Sequence, residues 1–364
     1  MKALKTIAIL VFTSLVFATC GNPAGNGGNG GNGGELSGDI YILSLPWGIV
    51  GFELTAIYSG TEPVNYHWKL DGTDVGINSD RYTPDTVGSY TVMVSAPGYN
   101  RKTSMNDVYI SLPDVIIDLG ANTVTGDPII TSGSPNINIT TTSGYITHVL
   151  ITGNTGGISR SITIQGGALI YIADNTTITG TGDALIVPNG AIIRGGGQNI
   201  NITGKNGGVG GHGISSNGGH FDFFGTIGNI TGGNGSGTNG HGGCGIFTNG
   251  MVNIVGTIGT VTGGNGGNGS SGKSPWSNGG DGGDGGHGIF SSHVTISGAA
   301  FSIAGGSGGK GGIKGQPFGS SGSNGRGGNG INAGVGTVRI DGTVSSIKGI
   351  GVPAIVASTI IGWP

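Results

Sequence analysis

The sequence predicts an all-β chain whose larger, C-terminal part is a right-handed parallel β-helix (solenoid) with Gly-rich loops on one side. Three observations predict it. A short unit recurs as Gly211-His212-Gly213-Ile214, Gly243-Cys244-Gly245-Ile246, Gly286-His287-Gly288-Ile289 and Gly328-Asn329-Gly330-Ile331. A second signature follows each of these: GTIGNITG from Gly225, GTIGTVTG from Gly256, GAAFSIAG from Gly298 and GTVSSIKG from Gly342; GQNINITG from Gly197 fits the same frame. The apolar residues alternate, as in Ile200 and Ile202 or Val252 and Ile254, which is strand spacing and not helical spacing.

A repeat of this kind marks a solenoid. One unit cannot bury its apolar face alone, whereas stacked units bury a continuous column. Each coil should rise about 4.8 Å on the one below. Ile202, Ile230, Val261, Ile303 and Ile347 are expected to form one inward stack. Right-handedness follows the rule for parallel crossovers.

Between the two signatures the chain inserts Gly-rich segments at 205–210, 234–242, 265–285 and 307–327. They leave the repeat at one equivalent place and should emerge on one side. Many read as triplets, as in GGDGGDGGH ending at His287. A three-residue period suits an extended polyproline-II-like strand, and strands without Cβ atoms can pack side by side. The alternative is a set of flexible Gly/Ser loops.

Charge is low, 9% of residues, and the net charge is −3, so no basic face invites nucleic acid. The 85 Gly residues lack the strict period of collagen. At the N-terminus, Lys2 and Lys5 precede an apolar stretch, Thr6–Phe17, and then Ala18-Thr19-Cys20. That order is a targeting segment, too short for an ordinary membrane span. Cys20-Gly21 followed by a Gly/Asn-rich stretch resembles a bacterial lipoprotein signal, which implies lipidation of Cys20. Residues 1–20 are then the signal peptide ending in the lipidated Cys, and 21–34 a tether. An ordinary secretory signal with an incidental Cys is the alternative. Cys244, the one other cysteine, has no intramolecular partner once Cys20 is lipidated.

Residues 35–112 differ from the rest. They hold all three Glu (Glu35, Glu53, Glu62) and strand-like alternation at 51–56 and 89–95. Trp68 lies on a run that enters an Asp71-Gly72 turn. Asp85-Thr86-Val87-Gly88-Ser89-Tyr90 resembles a tyrosine corner. Together these residues resemble bacterial immunoglobulin-like (Ig-like) domains, implying a small β-sandwich with Trp68 and Tyr90 in its core. Val92 stands where antibody domains carry a cysteine. Leu112-Pro113 reads as the boundary to the β-helix of 113–364. Its first coils are expected from Asp114, with Gly126-Asp127-Pro128-Ile129 echoing Gly182-Asp183-Ala184-Leu185. The Ig-like domain is a candidate cap for one end, and Ile361-Gly362-Trp363-Pro364 a candidate cover for the other.

The solenoid resembles the pectate-lyase-like superfamily in pattern. Gly211-His212-Gly213-Ile214-Ser215 is similar to a polygalacturonase motif, which implies polysaccharide cleavage. That chemistry needs paired carboxyl groups, one to protonate the leaving oxygen and one to activate water. From residue 113 on there is no Glu, the Asp residues are dispersed, and the nearest string to the family's second motif is Val338-Arg339-Ile340-Asp341. The equivalent positions read GCGI and GNGI, as scaffold positions do. No catalytic residue is assigned.

His212, Cys244, His287 and Asn329 hold one place in successive repeats and should form a ladder. Cys and His are metal-ligand types, and His241 lies nearby, but the spacing fits no compact zinc pattern. Asp281 and Asp284 match calcium-binding nonapeptides only in part, and no phosphate-loop frame is present. No metal or cofactor is assigned. The expected protein is a non-catalytic, lipid-anchored cell-envelope protein, adhesin-like or structural. Its expected partners are a membrane through the N-terminal lipid and a glycan or protein surface ligand. Oligomeric state is left open. The alternatives are a polysaccharide lyase or hydrolase, and an ice- or mineral-surface binder. The last needs regular Thr rows; Thr231 and Thr262 align, whereas Ala304 and Lys348 interrupt.

Overall fold

A computed structural model describes residues 33–126, 129–133, 136–140, 147–154 and 158–362. The proposed signal segment, Cys20 and most of the tether lie outside the described residues, as do Asp127, Pro128, Trp363 and Pro364. The described chain is all-β, with no helix. It divides into two compact units, one up to Pro113 and one from Asp114.

In the first unit, Ile40–Ile42, Leu54–Tyr58 and Arg81–Tyr82 form a three-stranded antiparallel sheet. A second, six-stranded sheet has Gly88–Ser95 at its centre, between Asn65–Leu70 and Val108–Ser111. Side chains of both sheets meet in one core: Ile40, Ile42, Leu54 and Ala56 against Trp68, Tyr90, Val92 and Val108. Trp68 and Tyr90 are fully buried, and each finds a partner for its polar atom. The Trp68 indole N–H donates to the Ser79 carbonyl at 2.8 Å. The Tyr90 hydroxyl donates to the Thr86 carbonyl at 3.0 Å, four residues back. Burial pushes the Tyr90 hydroxyl up to about 12. Tyr82 stacks between the two rings, with centroids 5.6 and 5.5 Å away.

The second unit is built from two long sheets that share one core. In the nine-stranded sheet, Ile137, Ile162, Leu185, Ile214, Ile246, Ile289, Ile331 and Ile355 pair in that order, all parallel. In the fifteen-stranded sheet, Ile193, Phe223, Ile254, Ile296 and Ile340 form a second column. Ile202, Ile230, Val261, Ile303 and Ile347 form a third, the row expected from the repeat. From Ile162 to Ile331 every member of the first column is fully buried. Burying such a side chain contributes about 1.5–3 kcal/mol. The columns explain why the repeat tolerates insertions of any length but keeps its Ile.

Two expectations need correction. The first strands from Asp114 are not simple parallel coils: Val115–Asp118 pairs antiparallel with Thr123–Gly126, and Ile129–Gly133 pairs antiparallel with Asn136–Thr140. Each long sheet therefore begins with a hairpin and turns parallel afterwards. The echo of Gly182–Leu185 at Gly126–Ile129 sets no register, because Ile129 pairs with Thr140 while the neighbour of Leu185 is Ile162. A short connection allows only an antiparallel return; a parallel one needs a long crossover.

Candidate functional site

The Gly-rich insertions are ordered by hydrogen bonds to one another. Each goes out and comes back, giving an outbound and a return limb. A zigzag of Gly amides joins the limbs: Gly233 N–H to Gly211 O, Gly243 to Gly233, Gly264 to Gly243, Gly286 to Gly264, Gly306 to Gly286 and Gly328 to Gly306, all at 2.7–2.8 Å. The pattern repeats at three-residue steps: Gly283 donates to Gly267, Gly309 to Gly283 and Gly325 to Gly309. This is the period of a polyproline-II strand. The limbs lie so close that a Cβ on Gly264 would run into the Gly233 carbonyl oxygen, and one on Gly286 into that of Gly243. Only Gly permits such an approach.

Within a Gly-Gly-x triplet the other two amides are also satisfied. The Gly after each x donates to the x carbonyl of the next insertion: Gly266 to Ser307, Gly269 to Lys310, Gly282 to Ser323 and Gly285 to Arg326, at 2.7–2.8 Å. The x amide donates to the x side chain of the preceding insertion. Asn206 Oδ1 accepts from Asn234, Asn234 Oδ1 from Asn265 and Asn265 Oδ1 from Ser307, at 2.7–2.8 Å. His241 Nδ1 accepts from the Asp284 amide at 3.0 Å, and Asp284 Oδ1 from the Arg326 amide at 2.6 Å. At these places x is Asn, His or Asp and serves as an acceptor; Val209, the x residue beneath His241, is an exception. The insertions form one glycine bundle, not flexible loops.

The recurring polar position of the Gly-x-Gly-Ile unit obeys the same rule. Asp183 Oδ1 accepts from the His212 amide at 2.7 Å, and His212 Nδ1 from the Cys244 amide at 2.8 Å. The Cys244 sulfur accepts from the His287 amide, and His287 Nδ1 accepts from the Asn329 amide at 2.9 Å. The expected ladder is present as a chain of side-chain-to-backbone bonds. Phe247 stacks on His212 with centroids 4.5 Å apart, and Phe290 on Phe247 at 5.2 Å. Burial holds the His212 and His287 rings below the ordinary histidine range and pushes the Cys244 thiol up to about 12. A thiol held protonated is a poor nucleophile and a poor metal ligand. No group of three His, Cys, Asp or Glu side chains is placed to hold a metal ion among the described residues.

The carboxylates stand apart. Asp222, whose carboxyl is pushed up by burial, accepts from Asn253 Nδ2 at 2.6 Å, and no hydrogen bond or ion pair joins it to His212. Asp281 accepts from the Ser323 amide at 2.7 Å and Asp174 from the Asn199 amide at 3.0 Å. Asp341 pairs with Arg339 at 2.5 Å. Each of these side chains serves the backbone or a neighbour in the fold. The Thr row reads Thr179, Thr203, Thr231, Thr262, then Ala304 and Lys348, and is half-buried from Thr179 to Ala304.

No family model, curated protein or solved structure matches this chain.

Three x residues of the last insertion differ from Ser307, Ser320 and Ser323 beside them. Lys310, Ile313 and Arg326 cannot accept a hydrogen bond, and no further insertion follows them. Lys310 and Arg326, with Gly308, Gly327 and Ile350, border an open groove of about 630 Å³. At the tips of the last two insertions Trp276 and Phe318 stack with centroids 4.2 Å apart, although 75% and 61% exposed. These residues were not singled out in the sequence.

Proposed function

We propose that this is a non-catalytic, lipid-anchored cell-envelope protein that displays a binding surface, adhesin-like in its layout. In this reading the second unit is a right-handed parallel β-helix, the glycine bundle runs along one side of it, and the first unit is an Ig-like sandwich serving as a spacer. The stacked parallel rows support the β-helix. The buried Trp68 and the Tyr90–Thr86 bond support the Ig-like assignment. The observation that carries the functional reading is the layer-to-layer hydrogen bonding of the Gly-rich insertions. A chain has no structural need for long insertions once its columns are closed. Here they are held as an ordered body that carries a side chain at every third position, which is how a rigid recognition surface is built.

Anchoring rests on Cys20 and the Gly/Asn-rich stretch after it. Several acyl chains would hold the protein firmly, since each buried CH₂ contributes about 0.8 kcal/mol. Labelled palmitate should be incorporated by the wild type and lost in Cys20→Ser. Protease treatment of intact cells should shave the protein, placing it on the cell surface. A glycan and matrix-protein binding screen should give a ligand that a chain lacking 307–327 no longer binds. An empty screen together with protection from protease would overturn surface display. The competing reading, polysaccharide cleavage, predicts product release from uronic-acid polymers that is lost in Asp222→Asn.

A further inference from the structure

Resting on that display reading, we infer that the outer edge of the glycine bundle, formed by residues 307–327, is a binding site for an acidic polysaccharide.

The edge presents donors without matching acceptors. In every earlier insertion the Gly after x gives its amide to the next layer, as Gly266 and Gly285 do. Their equivalents one layer on are Gly308 and Gly327, whose amides have no acceptor among the described residues. Beside them stand the Lys310 ammonium and the Arg326 guanidinium, both exposed and neither in an ion pair among the described residues. Asn324 has committed its Oδ1 to the Gly311 amide at 2.8 Å, which leaves its amide nitrogen as a further donor. The bundle's carboxylates, Asp281 and Asp284, belong to the layer beneath and accept from the Ser323 and Arg326 amides. Lys310 and Arg326 offer no acceptor to a further Gly-rich layer and add two positive charges to the edge. An oxyanion suits the edge: it brings acceptors only, and charge-assisted bonds to both cations.

A sugar chain, and not a lone anion, is indicated by the aromatic pair. Trp276 and Phe318 form an exposed stacked platform at the tip of the same bundle. Exposed aromatic surface of this kind marks an interaction site. At about 3.1 Å per residue, the limb from Lys310 to Gly315 spans roughly 15 Å before the turn at 316–318 that carries Phe318. Ile313, exposed at an x position, lies between them. A chain of several sugars could lay carboxylates in the groove and apolar ring faces along Ile313 and the platform.

The test is calorimetric titration of the protein with a galacturonate hexamer, a neutral galactose hexamer, a heparin-derived hexamer and inorganic sulfate. The galacturonate hexamer should bind with salt-dependent affinity, and the neutral chain should not. Lys310→Ala and Arg326→Ala should each weaken it about tenfold or more, because each removes a charged hydrogen bond. Trp276→Ala should weaken hexamer binding and leave sulfate binding unchanged. Each variant should melt with the wild type, since the three side chains are exposed. Preference for the heparin-derived chain would keep the acidic-glycan site and make sulfate its anion. Equal binding of neutral and acidic chains, or unchanged affinity in the double variant Lys310→Ala/Arg326→Ala, would overturn the groove. If that double variant still binds whatever ligand the surface screen identifies, the display reading stands and this site falls.

Discussion

In the apolar columns, Ile246 meets Ile289 across a strand pair, and the contact is between side chains that have left water. In the glycine bundle, Gly264 meets Gly286 across a hydrogen bond of 2.8 Å with no side chain between them. Both regions stack layer on layer from the same sequence repeats. The columns are held by buried apolar area and tolerate slightly imperfect pairing. The bundle buries little apolar area and depends on every amide finding an acceptor. A buried amide without a partner costs about 1–3 kcal/mol. The lesson is that one repeat carries two registers: an aliphatic residue once per repeat and a Gly pair once per triplet.

The largest effect is expected from attacking a column. Ile246→Ala should cost about 2–5 kcal/mol through lost burial and the cavity left behind. Ile246→Asp should abolish soluble, folded protein, because a carboxylate at that place has no partner. Thermal melts followed by circular dichroism, with soluble yield, would read both. If Ile246→Asp melted like wild type, the column would not be the source of stability.

The next effect sharpens the contrast. Gly286→Ala drives a Cβ into the Gly243 carbonyl and should cost about 1–3 kcal/mol of overpacking. Its damage should stay local. Hydrogen exchange should speed at Gly264, Gly306 and Gly328 while the amides of Ile246 and Ile289 keep their protection. Equal loss in both regions would mean that the bundle and the columns unfold as one unit, and the comparison would fail.

A smaller effect isolates the acceptor rule. Asn265→Ala removes the oxygen that receives the Ser307 amide and hydroxyl, both at 2.8 Å. The cost should be about 1 kcal/mol, since the site is exposed and water can substitute. Asn265→Asp keeps an acceptor and should restore most of the lost stability. Asn265→Ala without effect would show that the side chain merely sits beside the next layer.

How much of this was readable beforehand follows from the same distinction. The columns were legible because burial acts on residue type at a fixed period: Ile230, Val261 and Ile303 announce themselves. Trp68 and Tyr90 were legible from a resemblance, a core Trp and a tyrosine corner, and not from a period. The three-residue period of the insertions was visible, but its partners were not. Whether Asn234 bonds Asn265 depends on which layer lies beside it, and the unequal insertion lengths hide that alignment. The antiparallel start at Ile129–Gly133 was misread because Gly126-Asp127-Pro128-Ile129 looks like a later coil, while only the shortness of the connection decides the strand direction. Lys310 and Arg326 carry no pattern of their own within the glycine tract. They stand out only once they are placed at the bundle's edge beside the Gly308 and Gly327 amides, unpaired among the described residues.

The smallest expected effect is a dependence of stability on pH. Burial lowers the pKa values of His148, His212 and His287 from the ordinary value of 6.5. For a histidine lowered in this way, the unfolded chain takes up the proton first as pH falls. The stabilisation is therefore fully present above about 6.5 and is lost as pH drops through the folded-state value. His212 supplies the structural reason: its Nδ1 accepts the Cys244 amide, and a doubly protonated ring would set N–H against N–H. The same holds for His287 and the Asn329 amide. Melting temperature should be level from pH 7 to 8 and fall steadily below about 6. The chain names its own control, since Asn329 fills the equivalent place without titrating. The double variant His212→Asn/His287→Asn should keep the ladder and flatten the acid side of the curve. Were the curve to keep its slope in that variant, the acid loss would belong to other groups and the ladder would carry no pH dependence.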